Sequence, residues 1–153
     1  MKSSWFRWVL LAAASWCVIA MTATAAEGRK VALVVGINVY QKPFFANLDY
    51  AERDVEQMEI TLKSLKWEVT RISGKAASRV AIDTALNRLV KPLTKDDVML
   101  VMFCGHGQQV DVTRADGTKK NDAFFCPYEA VASDPSTLLS LSYVIDDVLA
   151  PNV

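Results

Sequence analysis

Val98-Met99-Leu100-Val101-Met102-Phe103-Cys104-Gly105-His106-Gly107 is a continuous apolar run that breaks into glycines around the single histidine of the chain. Such a run predicts a buried strand that spills into a turn at its C-terminal end. In open α/β sheets, ligands and catalytic groups gather at that end. Imidazole is the side chain that most readily exchanges a proton near neutral pH. Glycine on either side lets the backbone approach a bound group and leaves amide donors unobstructed. His106 is therefore the first candidate for chemistry.

Reading upstream, Lys95-Asp96-Asp97 forms a turn, and Ile82, Leu86, Leu89 and Leu93 mark the inward face of a helix that Pro92 closes. Trp67-Glu68-Val69-Thr70-Arg71-Ile72 alternates as a strand ended by Gly74. Leu48, Ala51, Val55, Met58, Leu62 and Leu65 recur at helical spacing, with Asn47 or Asp49 as the expected cap. Val31-Ala32-Leu33-Val34-Val35-Gly36-Ile37 has the pattern of a buried strand, followed by a loop holding Pro43, Phe44 and Phe45. The order strand, helix, strand, helix, strand predicts an α/β fold: a mainly parallel sheet with helices on both faces, a three-layer α/β/α sandwich. Downstream, Gln108 to Thr113, a polar turn at Asp116-Gly117 and Ala123 to Tyr128 read as a hairpin. Ser133 to Ser140 is a loop containing Pro135, and Leu141 to Leu149 starts a third helix with Val144, Ile145 and Val148 on its apolar side. A helix at that point of an α/β unit leads into another strand, so the fold is expected to be C-terminally incomplete.

A length of 153 residues suits one domain. Lys2 and Arg7, the apolar stretch Trp8 to Met21 and the small-residue site Ala23-Thr24-Ala25 form a signal-peptide pattern over residues 1–25. An uncleaved membrane anchor is the competing reading of that stretch. Trp16 before Cys17 does not resemble a lipoprotein processing site. Export without stable membrane association after cleavage is the expectation. Seventeen basic residues balance seventeen acidic ones with no basic cluster, which excludes nucleic acid as an expected partner. Cys104 and Cys126 either pair in an oxidising compartment or stay as buried thiols. No histidine pair, Cys-x-x-Cys or P-loop pattern is present, which removes zinc and P-loop chemistry.

From about Lys30 to Leu149 the chain resembles the caspase-like cysteine peptidases, nearest to metacaspases and their bacterial relatives. Four features carry the resemblance in order: Gly36-Ile37-Asn38-Val39-Tyr40 after the first strand, Leu48 through Asp54, Cys104-Gly105-His106-Gly107, and Asp111 to Pro127 with Ile145-Asp146-Asp147. The third is similar to the Ser-Gly-His-Gly that carries the family's catalytic histidine. The resemblance implies a cysteine-type endopeptidase acting on peptide or protein substrates, with His106 as general base and then acid. It implies Gly107 N–H as an oxyanion donor and Asp54 in the pocket for the residue before the scissile bond, favouring lysine or arginine. Cys104, standing where serine is usual, becomes part of the pocket wall. Asp122, Asp146 and Asp147 are the implied hard ligands for calcium, the one cofactor considered.

Three departures accompany the match. Neither Cys104 nor Cys126 lies in the family's nucleophile context, and that cysteine is expected about 50 residues after the histidine, just past Val153. Residues 26–153 are thus expected to be a peptidase domain that stops before its nucleophile strand, inactive alone. Cys104 differs from the usual serine. Glu129 replaces an aspartate, which weakens the calcium assignment. Plain readings stand alongside: Asp54 as a solvated helix residue, Asp146 and Asp147 as favourable charges at a helix N-terminus. Two alternatives are a catalytically dead caspase-like binding module and an unrelated α/β hydrolase or nucleotide-binding domain; only Gly36 follows the first strand where the latter needs a glycine-rich loop.

Overall fold

A computed structural model describes residues 28–113 and 117–152. The signal-peptide residues, Cys17 and the Asp116 turn position lie outside them. The first strand, β1 (Lys30–Gly36), leads through a long loop into helix α1 (Ala51–Ser64), then β2 (Glu68–Ser73), α2 (Arg79–Val90) and β3 (Val98–Cys104). These three strands form a parallel sheet in the order β2-β1-β3. The chain therefore steps one way from β1 to β2 and back across β1 to β3. Right-handed crossovers in opposite directions place their helices on opposite faces.

The packing agrees. Alternate residues of β1 face opposite ways: Ala32 and Val34 pack with Val55 and Leu62 of α1, whereas Leu33 and Val35 pack with Ile82, Ala85, Leu86 and Val90 of α2. Residues 31–35 are fully buried, which explains why β1 shows so little polar alternation. Leu33 and the three valines each contribute about 1.5–3 kcal/mol of transfer free energy. The three-layer α/β/α arrangement is the one expected.

β3 differs from expectation. Its seven residues are half-buried or exposed, with Val98 51 % exposed. It is an edge strand whose outer side pairs with no strand among the described residues. An apolar run alone does not distinguish central from edge position.

After Cys104 the chain turns a corner and enters a second, antiparallel sheet of β4 (Gly107–Thr113), β5 (Lys119–Phe125) and β6 (Leu139–Ser140). The expected hairpin is present, but β5 begins at Lys119, four residues before the apolar signal at Ala123. The third helix is a π-helix, Tyr143–Leu149. Val144 and Val148 are buried in it, with Tyr143 and Leu149 partly buried against the same core, whereas Ile145 is 57 % exposed. In α1 the expected caps do not act: the N-cap is Tyr50, with no side-chain bond. Asn38, twelve residues earlier, supplies the capping acceptor instead. Its Oδ1 accepts the Glu52 N–H at 3.0 Å, and its own N–H donates to Glu52 Oε1 at 3.0 Å. Leu65 is exposed because the helix stops at Ser64 and the chain reverses through Lys66 at φ 64°. Among the described residues no helix is long and apolar enough to cross a membrane.

Candidate active site

The strand order reverses between β1 and β3, so the loops leaving their C-terminal ends diverge and open a crevice. The two ends are tied by the Ile37 N–H donating to the Cys104 carbonyl at 3.0 Å. Residues 38–50 leave on one side, and Gly105-His106 form the corner on the other.

A shallow cleft of about 360 Å³ lies there, lined by Leu48, Asp49, Tyr50, Ala51, Asp54, Phe103, Cys104 and Gly105. The structure thus brings Asp54, from the first turn of α1, together with Cys104, from the end of β3. Burial pushes the Cys104 thiol above its ordinary range, and the nearby Asp54 carboxylate adds to that shift. A thiol held protonated is a poor nucleophile. Cys104 also packs on the α1 side of the sheet, whereas the rings around His106 belong with the α2-side core. Cys126 is fully buried, and burial pushes its thiol up to about 11. Both cysteines are free, so the disulfide alternative does not form. Another cleft, lined by Gly28, Arg29, Lys30, Leu65, Lys66 and Glu68, sits where the strands begin, the end of the sheet that does not gather ligands.

His106 is half-buried and held on all its polar edges but one. Its backbone N–H donates to the Tyr40 hydroxyl at 2.7 Å, and its carbonyl accepts the Cys126 N–H at 3.0 Å. Nε2 lies 2.8 Å from the Ala46 carbonyl oxygen. A carbonyl only accepts, so Nε2 carries a proton, and in the neutral ring Nδ1 keeps the lone pair. The imidazole is 5.4 Å from the ring of Phe45, nearly parallel at 26°, and 5.4 Å from that of Tyr40. Tyr40 is buried, and desolvation raises its phenol to about 12, so it stays neutral.

The Cys126–His106 bond also sets the phase of the β4–β5 ladder. In an antiparallel pair bonded and non-bonded couples alternate, so the Gly107–Phe125 couple is non-bonded and the Gly107 N–H points away from β5. Gly105 is fixed by close approach: a Cβ there would stand 2.9 Å from both the Tyr40 hydroxyl and Phe125 Cε2.

The three carboxylates singled out for calcium are not brought together as a site. Asp122, on β5, accepts from Ser140 Oγ at 2.7 Å, from Ser142 Oγ at 2.5 Å and from the Ala123 N–H at 3.0 Å. Burial alone would raise this carboxyl, but those three donors hold it below its ordinary value. Asp146 and Asp147 are exposed on the π-helix. Both Asp122 oxygens are already engaged by protein donors, so the residues do not fit a calcium site. Among the described residues no group of three or more His, Cys, Asp or Glu is placed to hold a metal. Glu129, the other departure, serves the framework, because its Oε1 accepts the Arg79 N–H at 2.9 Å at the N-terminus of α2.

The caspase-domain description of the C14 peptidases matches residues 29–150. The chain belongs to the caspase-domain family. A crystal structure of a protein from Geobacter sulfurreducens shares the fold at a TM-score of 0.64 and 25 % identity. The alignment covers 80 % of this chain and 46 % of that one, so this caspase-domain chain spans about half the length of that relative. No curated protein matches it in sequence. Family membership leaves the unrelated hydrolase and nucleotide-binding alternatives without support.

Four residues of the site escaped the sequence reading. Asn38, Tyr40 and Phe45 were visible only as parts of a motif or loop. Ala46 acts through its backbone carbonyl, for which no side-chain signal exists.

Proposed function

We propose that this caspase-domain chain is the histidine-bearing part of an exported cysteine endopeptidase that cleaves after lysine or arginine. The observation that carries the reading is the state of His106: Nε2–H on the Ala46 carbonyl, Nδ1 left basic, at the reversal point of the sheet. A base so oriented accepts a thiol proton at Nδ1 while Nε2–H stays on its carbonyl. The resulting imidazolium is stabilised by that carbonyl and later protonates the leaving amine. The Gly107 N–H is free of the β5 ladder and serves the oxyanion. Asp54, at the mouth of the adjoining cleft, offers a carboxylate to a basic side chain.

The nucleophile in this reading is a cysteine outside these 153 residues, because Cys126 is buried in the core and Cys104 is held protonated beside Asp54. The leader at residues 1–25 directs export. The purified 153-residue chain is accordingly expected to bind arginine- and lysine-containing peptides without cleaving fluorogenic versions of them. Turnover that disappears in Cys104→Ala would overturn the assignment and make Cys104 the nucleophile. Absence of any peptide binding that depends on Asp54 would remove the basic-residue specificity. Peptide binding with no cysteine encoded beyond Val153 would favour the catalytically dead module.

A further inference from the structure

The centroids of Tyr40, Phe45 and His106 form a near-equilateral triangle, with sides of 5.1, 5.4 and 5.4 Å. Both aromatic rings therefore lie on one side of the imidazole. Tyr40 acts twice, through its ring and through the hydroxyl that accepts the His106 N–H. Phe45 stacks on the imidazole and immediately precedes Ala46, whose carbonyl takes Nε2–H. Any swing of the loop at Phe45 carries the Ala46 carbonyl with it, since one peptide unit joins them. The loop is pinned on either side, by Gln41 N–H on the Tyr128 carbonyl at 2.9 Å and Leu48 N–H on the Asn38 carbonyl at 2.8 Å. Between those pins the Phe45 ring contacts and the Nε2–Ala46 bond hold the loop against the histidine.

We propose that Tyr40 and Phe45 are positioning residues for the His106 base, Phe45 by stacking the imidazole so that Nε2–H remains on the Ala46 carbonyl and Tyr40 by fixing the His106 backbone. The inference rests on His106 being the base of the proposed reaction, yet its test needs no substrate. The chain has one histidine, so its imidazole signals and its reaction with diethylpyrocarbonate are unambiguous. In the full chain a hydrogen-bonded imidazole N–H is expected in the proton spectrum, assigned to Nε2 through its nitrogen-15 coupling. Phe45→Ala is expected to lose that resonance to solvent exchange and to carbethoxylate about three- to ten-fold faster, the range an aromatic pair supports. Phe45→Tyr should restore both readouts. Phe45→Leu keeps apolar bulk without a ring face and should behave like Phe45→Ala; it also decides the matter if the alanine variant does not fold. Tyr40→Phe keeps the ring and should speed exchange of the His106 backbone amide about ten-fold. A proton found on Nδ1, or a wild-type resonance and rate in Phe45→Leu, overturns the positioning role. Failure to bind basic peptides, with the ring readouts as expected, would instead count against the protease reading alone.

Discussion

Gly36→Ala tests how tightly the cleft is built. A Cβ on Gly36 would stand 2.5 Å from Val55 Cγ2, 2.6 Å from the Ala51 carbonyl oxygen and 3.1 Å from the Ala51 carbonyl carbon. Comfortable carbon contacts lie at about 3.5–4.0 Å, so α1 must retreat by roughly 1 Å. Two of those atoms are helix backbone, and no side-chain rotation relieves them. Ala51 and Val55 are both buried, and Val55 packs on Ala32 and Val34 of β1, so the retreat opens the α1 face of the core. Overpacking costs about 1–3 kcal/mol, and backbone involvement puts this case at the upper end. For a domain of this size that is about 10 °C in melting temperature. The assay is thermal and urea denaturation followed by circular dichroism and by Trp67, which packs against this same cluster. Gly105→Ala is the comparison: its Cβ would meet side-chain atoms instead of helix backbone, the buried Tyr40 hydroxyl and Phe125 ring at 2.9 Å, so its loss should be somewhat smaller. A Gly36→Ala melting point within about 3 °C of the wild type, or a larger loss in Gly105→Ala, would refute the reasoning that the β1 end and α1 are in backbone contact.

Asp54→Asn should speed alkylation of Cys104 at a fixed pH near 8, because removing the neighbouring negative charge lowers a thiol that this charge helps to raise; the iodoacetamide rate with Cys126 buried reports it. Glu59 is held below the ordinary carboxyl range by hydrogen bonds from Lys63 and then Arg71. A depressed folded value stabilises the fold above the unfolded value and is lost as pH falls through the folded one, so Glu59→Gln should cost under about 1 kcal/mol near pH 7 and converge on wild type toward pH 2 in urea titrations. Asp122→Asn should lower stability by about 1–3 kcal/mol, since the Ser140 and Ser142 hydroxyls lose a charged acceptor. Millimolar calcium is expected to leave the melting point of both Asp122 forms unchanged, and a calcium-dependent rise in wild type alone would restore the metal assignment. Asn38→Ala should cost about 0.5–2 kcal/mol in denaturant titrations through loss of the α1 cap.

The parallel core was legible because period and burial coincide there. β1 is buried on both faces and reads as an unbroken apolar run, and α2 repeats Ile82 and Leu86 toward the same side. What failed was information that is not local. Val98–Cys104 is as apolar as β1, yet its edge position depends on strand order. β5 opens with Lys119, Lys120, Asn121 and Asp122, whose pairing with β4 leaves no hydrophobic trace. The α1 cap comes from Asn38, too far upstream for a capping pattern. An α-helical spacing puts Ile145 inward, but in the π-helix it is exposed while Val144 and Val148 are buried. In the site, His106 follows the end of β3, where the apolar run breaks into glycines, and Asp54 and Cys104, which enter through the resemblance, line one cleft. Asp122 enters as a calcium ligand through the family resemblance, and the two serines that occupy its carboxylate lie 18 and 20 residues away, beyond the reach of a motif.

One segment, residues 38–50, connects the two halves of the candidate site. At its start Asn38 caps α1 and so fixes the turn that carries Asp54; at its middle Phe45 and Ala46 hold the His106 ring; at its end Leu48, Asp49 and Tyr50 line the cleft. His106 and the cleft are therefore not independent features of β3 and α1. They are registered against each other by a loop whose two ends are bonded together, Leu48 N–H to the Asn38 carbonyl. In the proposed reaction such closure matters, because a base misplaced by about 1 Å relative to the bound side chain loses roughly 100-fold in rate. It also accounts for the loop's composition. The inward rings of Tyr40 and Phe45 supply rigidity that a polar loop of this length would lack, while Phe44 and Tyr50, 54 % and 62 % exposed, sit on its outer side.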